Sequence, residues 1–168
     1  TWSPLGDNLA VFVNNNVTDF EIAANGDFYA ATRSDGVYIS TNAGANWAPI
    51  NTGLPTSNFG RVELAVAPSN SGVAYVAFAD TTSANRGACL SVFTTNNSGA
   101  SWTPATCPGS FGSQAWYDFI LQVDPADATR VLIGGVRLFI SEDSGQMWTQ
   151  IGGIHADHHQ ILFQPGDN

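Results

Sequence analysis

One eight-residue pattern is written three times in this chain. Ser40-Thr41-Asn42-Ala43-Gly44-Ala45-Asn46-Trp47, Thr95-Asn96-Asn97-Ser98-Gly99-Ala100-Ser101-Trp102 and Ser141-Glu142-Asp143-Ser144-Gly145-Gln146-Met147-Trp148 all read Ser/Thr-x-Asp/Asn-x-Gly-x-x-Trp. The tails agree as well: Trp47-Ala48-Pro49-Ile50, Trp102-Thr103-Pro104-Ala105 and Trp148-Thr149-Gln150-Ile151, with Trp2-Ser3-Pro4-Leu5 repeating the tail alone. The tryptophans recur at intervals of 45, 55 and 46 residues. Chemistry makes the pattern a hairpin turn. The Asp or Asn carbonyl bonds backbone N–H groups two residues on, and the Gly accepts a positive φ. The Trp then buries a large ring at the edge of the unit.

A period near 45 residues is that of a four-stranded antiparallel propeller blade, so the expected fold is an all-β propeller built as a partial ring. Alternation and turn signals place the strands. They are Val17–Ala24, Phe28–Thr32, Val37–Thr41 and Trp47–Ile50 in the first blade, and Arg61–Ala67, Val73–Phe78, Cys89–Thr95 and Ser101–Ala105 in the second. The third has Tyr117–Asp124, Arg130–Gly134, Leu138–Glu142 and Trp148–Ile151. The blades thus cover about residues 17–50, 61–105 and 117–151 of one propeller segment, 1–168. Residues 158–165 start a further blade, with His158–Gln164 as its inner strand, and Trp2–Leu5 is an orphan outer strand. A closed ring would draw its missing blades from the rest of a longer chain or from other subunits.

The three boxes resemble the Asp-box, or bacterial neuraminidase, repeats shared by sialidases, xyloglucan-cleaving glycoside hydrolases, sortilin-type receptors and a photosystem assembly factor. The resemblance covers essentially the whole chain and implies that the boxes lie on the face away from the ligand. Ser40, Asn42, Gly44, Trp47, Thr95, Asn97, Gly99, Trp102, Ser141, Asp143, Gly145 and Trp148 are therefore expected to be structural. Sialidases carry an Arg-Ile-Pro segment that is not found here. The segment Tyr29–Tyr38 resembles xyloglucan-cleaving enzymes, but Arg33 stands where their catalytic Asp is expected, with Asp35 two residues later in an Asp-Gly turn.

The charge balance narrows the partners. Fourteen acidic residues face five Arg and no Lys, for a net charge of −9. Nucleic acid demands a basic footprint, which this chain lacks. No run reaches the ~18 apolar residues of a membrane span. Two cysteines, Cys89 and Cys107, lie equally far on either side of the second box turn and should face one another as a disulfide, the alternative being two unrelated buried thiols. A disulfide would staple the insertion Asp80–Ala88 and place the chain in a secreted, extracellular or periplasmic compartment. The matches Asn16-Val17-Thr18 and Asn96-Asn97-Ser98 to the glycosylation pattern are too short to carry weight.

Chemistry is expected at the other end of the blades, on the crossovers Gly6–Asn16, Asn51–Gly60, Thr106–Trp116 and Gly152–Asp157 and the turns Arg33–Gly36, Asp80–Ala88 and Gly134–Arg137. Phe59, Phe111, Trp116, Tyr117, Arg33, Arg86 and Arg137 are candidates there for sugar or peptide binding, or for plain loop packing. Aligning the inner strands places Asp19, Arg61, Asp118 and His158 at the channel mouth. Asp19 and Asp118 could act as an acid/base pair across a glycosidic bond, or all four could line a wet channel. Alternation puts His155, Asp157 and His159 on one face as a divalent metal set, the alternative being a hydrogen-bonded cluster. No cofactor is otherwise called for. Two functions follow: an extracellular scaffold binding a glycan or protein partner, or a glycoside hydrolase acting on a β-glucan or xyloglucan-type polysaccharide with paired carboxylates.

Overall fold

The computed structural model describes residues 12, 16–82, 84–109 and 111–164. Among the described residues, twelve strands form three antiparallel sheets of four, each in chain order. The first contains β1 (Val17–Ile22), β2 (Phe28–Thr32), β3 (Gly36–Ser40) and β4 (Ala48–Pro49). The second contains β5 (Phe59–Val66), β6 (Ala74–Asp80), β7 (Cys89–Thr95) and β8 (Thr103–Ala105). The third contains β9 (Ile120–Val123), β10 (Val131–Gly134), β11 (Leu138–Ser141) and β12 (Thr149–Ile151). The expected orphan outer strand Trp2–Leu5, the crossover before Asn16 apart from Phe12, and residue 165 lie outside the described residues.

Strand alternation explains how the sheets stack. Val62, Leu64 and Val66 of β5 with Val76 and Phe78 of β6 pack toward the first sheet, against Tyr29, Ala31 and Val37. The intervening Ala65, Tyr75, Ala77 and Ala79 face the third sheet and meet Phe119, Leu121, Val131 and Ile133. The middle sheet is thus apolar on both faces, as a sheet covered on both sides must be. Inner strands are also joined by polar contacts. Thr18 Oγ1 donates to the Val62 carbonyl at 2.7 Å, and Asp19 Oδ2 accepts from the Leu64 N–H at 2.7 Å.

Each repeated turn is built the same way. The Ser or Thr hydroxyl accepts from the Gly N–H four residues on: Gly44 to Ser40 at 2.9 Å, Gly99 to Thr95 at 3.1 Å, Gly145 to Ser141 at 2.9 Å. The Asn or Asp Oδ1 also reaches four residues ahead rather than two, accepting from Asn46, Ser101 and Met147 at 2.8, 3.0 and 2.8 Å. Positive φ is shared by the Gly and the residue before it: Ala43 and Gly44, Ser98 and Gly99, Ser144 and Gly145. The second and third turns bind the sheet before them. Trp102 Nε1 donates to the Ile50 carbonyl and Trp148 Nε1 to the Thr106 carbonyl, both at 2.7 Å. These contacts fasten each outer strand to the next turn.

Several boundaries differ from the sequence expectation. β9 begins at Ile120 rather than Tyr117, because Tyr117 and Asp118 both donate backbone N–H to the Gln114 carbonyl and close a turn there. The segment 152–164 carries no strand, so His158–Gln164 is not a hydrogen-bonded inner strand here. Asp157 has φ 66°, which breaks the alternation expected to align His155, Asp157 and His159. The disulfide Cys89–Cys107 is formed, with Cα atoms 6.0 Å apart. Its residues are not strict partners in the ladder: Thr94 pairs with Thr103, one residue out of the expected register. The bond is made beyond the end of β8, where the chain has left the ladder.

Candidate functional site

The inner strands β1, β5 and β9 and the segment after β12 enclose a cleft of about 190 Å³. Its polar lining includes Asp19 and Glu21 from β1, Glu63 from β5, Gln122 from β9, and His159 and Gln160. Glu21 and Glu63 were not among the sequence candidates, although alternation from Asp19 and Arg61 places them on the same faces. Glu63 is 7% exposed, and its Oε1 accepts from Arg61 Nε at 2.6 Å. Arg61 also donates through Nη1 to the Tyr117 carbonyl, tying the second sheet to the crossover that leads into the third. Asp19 accepts from two backbone N–H groups, those of Leu64 and Phe20.

Crowding shifts the protons. Burial pushes the Glu63 carboxyl up to about 8, with the Asp19 charge adding to the rise and Arg61 opposing it. Burial, then Asp19, raises Glu21 to about 7. Asp19 is raised by burial too, against the lowering pull of its backbone hydrogen bonds and Arg61.

A second cluster lies between the crossover before β9, the β10–β11 turn and the segment after β12. Asp118 is fully buried there, and neither carboxylate oxygen receives a hydrogen bond of ordinary geometry. Burial raises its pKa; its own backbone N–H and His159 oppose the rise, and Asp157 adds to it. The segment is pinned by Asp157 N–H to the Val136 carbonyl and His158 N–H to the Gly135 carbonyl, at 3.3 and 2.9 Å. The ring of His159 stands edge-on to Tyr117 at 4.8 Å. Asp19 and Asp118 differ in their hydrogen bonding, while His159 lines the Asp19 cleft and also acts on Asp118.

The remaining candidates divide by burial. Phe59, which opens β5, and the loop residue Phe111 are spent on the core, against Phe78 and against Phe119 and Phe139. Trp116 and Tyr117 are 58% and 56% exposed, with centroids 5.7 Å apart. They are held from behind, since Ala115 N–H donates to the Gly87 carbonyl of the stapled 80–88 insertion at 2.8 Å. Arg33, Arg86 and Arg137 are exposed on three separate turns. His155 is exposed, with Nδ1 2.7 Å from the Ala156 carbonyl oxygen. Among the described residues no three His, Cys, Asp or Glu side chains converge as metal ligands, so His155, Asp157 and His159 do not form that set. No helix among them is long and apolar enough to cross a membrane.

No protein-family model matches the sequence, and no curated protein matches it in a sequence search, but solved structures resemble its fold. The GH74 enzyme of Niastella koreensis superposes with a TM-score of 0.64 at 19% identity, over 84% of this chain and 22% of that one. The GH74 xyloglucanase from Xanthomonas campestris gives 0.61 at 25% identity, over 80% and 20%. YCF48 bound to a D1 peptide gives 0.60 at 12% identity, over 81% and 40%.

The fold is a β-propeller.

The present chain spans about a fifth of the GH74 enzymes' length and about two fifths of YCF48. Within this propeller the box turns and the Trp116–Tyr117 ledge belong to opposite ends of the blades. The ledge opens the inner strand of the third sheet, whereas the boxes close the hairpins between third and outer strands.

Proposed function

We propose that this chain is a segment of a secreted Asp-box propeller that binds glycans through the face opposite its boxes. The observation that carries the reading is the Trp116–Tyr117 pair. Two large rings are left more than half exposed on a crossover whose backbone is hydrogen-bonded to the disulfide-stapled insertion. Flat exposed rings beside amide and carboxylate groups suit the apolar faces and hydroxyls of sugars. Gln114, Asp157 and His159 supply such polar groups nearby. The disulfide agrees with an oxidising compartment. Because one similar structure is named a xyloglucanase, xyloglucan and other β-glucan oligosaccharides are the first probes.

Calorimetric titration with these oligosaccharides should show binding that weakens about tenfold or more in Trp116→Ala and Tyr117→Ala, each lost ring being worth on the order of 1 kcal/mol or more. Unchanged affinity in both variants, or no binding of any glycan, overturns the reading. The hydrolase alternative needs two carboxylates facing one bond. Asp19 is engaged by the Leu64 and Phe20 N–H groups, and Asp118 is wholly buried, so neither is presented to a substrate. Release of reducing sugar from xyloglucan, abolished by Asp19→Asn or Asp118→Asn, would instead establish it.

A further inference from the structure

Asp118 presents an unsolved electrostatic problem. A carboxylate taken wholly out of water must be neutralised or hydrogen-bonded, because an isolated buried charge costs several kcal/mol. Asp118 is 0% exposed and neither oxygen has a donor of ordinary geometry. Two charged groups bear on it: the Asp157 carboxylate, which adds to the rise of its pKa, and the His159 ring, which opposes that rise. Asp157 is exposed to solvent, and Gln114 Nε2 stands 3.4 Å from its Oδ1. A single proton shared between the two carboxyls would meet only one oxygen of Asp118.

The three side chains are carried on backbones that are already fixed. Asp118 and Tyr117 both donate N–H to the Gln114 carbonyl, at 3.1 and 2.7 Å. Asp157 is held in its positive-φ conformation by hydrogen bonds on its own N–H and the next. The donor set is hard: two carboxylates, and a carboxamide whose oxygen becomes available by rotating the amide. Hard oxygen donors of variable geometry, open to water on one side, suit calcium rather than zinc, and calcium fills its remaining positions with water. Histidine is not required, since the His159 ring is packed against Tyr117.

We infer that Asp118, Asp157 and Gln114 form a binding site for a hard divalent cation of the calcium class. Such an ion meets both oxygens of Asp118 and pins the 152–159 segment to the third blade. With only two charged ligands the affinity falls in the weak extracellular range, a Kd on the order of 10⁻⁴–10⁻³ M.

The test uses the intact chain, with calcium followed by calorimetry and terbium by luminescence sensitised through the neighbouring Trp116 and Tyr117. Saturable terbium emission that calcium displaces is expected. Asp157→Asn should weaken calcium binding about tenfold or more and Gln114→Ala by a smaller factor, as expected for loss of a charged and a neutral ligand. Because Asp118→Asn alters a fully buried group and could impair folding, the exposed Asp157 variant carries the test. Calcium raising the melting temperature of the parent but not of Asp157→Asn is the second expected readout. Absence of saturable calcium binding overturns the inference. So does equal binding by Asp157→Asn, which would mean that the ions sit on the acidic surface at large.

Discussion

At the scale of single residues, the box glycines show how much of a repeat motif is sterics. Gly99 has φ +82°, and a Cβ built there would lie 2.4 Å from Ile50 Cδ1 of the preceding blade. Gly26 has a similar φ, +88°, yet a Cβ there meets nothing within 4 Å. The pair separates two costs that a single substitution would merge. Both alanine variants must hold an L-residue in the left-handed region, at about 1–2 kcal/mol. Only Gly99→Ala must also turn the Cδ1 end of Ile50 aside, at a further cost of ~0.5–1.5 kcal/mol. Urea denaturation should therefore rank Gly99→Ala clearly below Gly26→Ala in stability. Equal losses would mean that the box glycine serves the turn alone and not the contact between blades.

At the scale of elements, what the sequence made legible follows from periodicity and what it hid follows from its local failure. The strands on either side of each box could be placed because alternation is regular there. Beside the site it is not. The turn closed on Gln114 delays β9, and Asp157 at φ 66° ends any alternation through the histidines. Glu21 and Glu63 were readable from Asp19 and Arg61 by counting in twos. The burial of Asp118 was not, because it depends on how the β10–β11 turn and the segment after β12 close over the crossover before β9. The disulfide shows an intermediate case: the pairing was legible from hairpin symmetry, the one-residue offset was not. Cys89 and Cys107 close a loop of 18 residues, for which cross-linking contributes about 3 kcal/mol by restricting the unfolded chain. Gly87 and Ala115 transmit that restraint to the ledge through their 2.8 Å hydrogen bond. Reduction should lower global stability by roughly that amount. Hydrogen exchange should then quicken at Ala88, Cys89 and Ala115 well before Gly99 and Gly145. Uniform quickening would place the restraint in the sheet as a whole.

At the scale of the molecule, three blades bring their inner strands together and so concentrate Asp19, Glu21 and Glu63 around one cleft in a chain of net charge −9. The consequence is a pH dependence opposite to that of most acidic proteins. An unfolded glutamate titrates near 4.5, whereas folded Glu21 and Glu63 titrate at about 7 and about 8. Between those limits the folded chain binds more protons than the unfolded one, so stability must fall as pH rises. Their contribution is present in full below the unfolded value and is lost as pH climbs through the folded values. Each glutamate supplies a slope of at most about 1.4 kcal/mol per pH unit. Asp127 and Asp143 act in the other direction. Hydrogen bonds from the Thr129 side chain and from the Met147 N–H hold them below 3.8, so their help is lost only in stronger acid. Urea melts taken from pH 4 to 9 should accordingly show greatest stability at about pH 4–5, declining through pH 8. Glu63→Gln keeps an acceptor for Arg61 while removing the charge, so it should flatten the decline and exceed the parent in stability at pH 8. A parent whose stability is constant or rises between pH 5 and 8 would mean that the cleft is solvated well enough to leave its carboxylates at ordinary values. The channel would then be a place where charge is merely tolerated, rather than one where the ring of inner strands holds protons against neutral water.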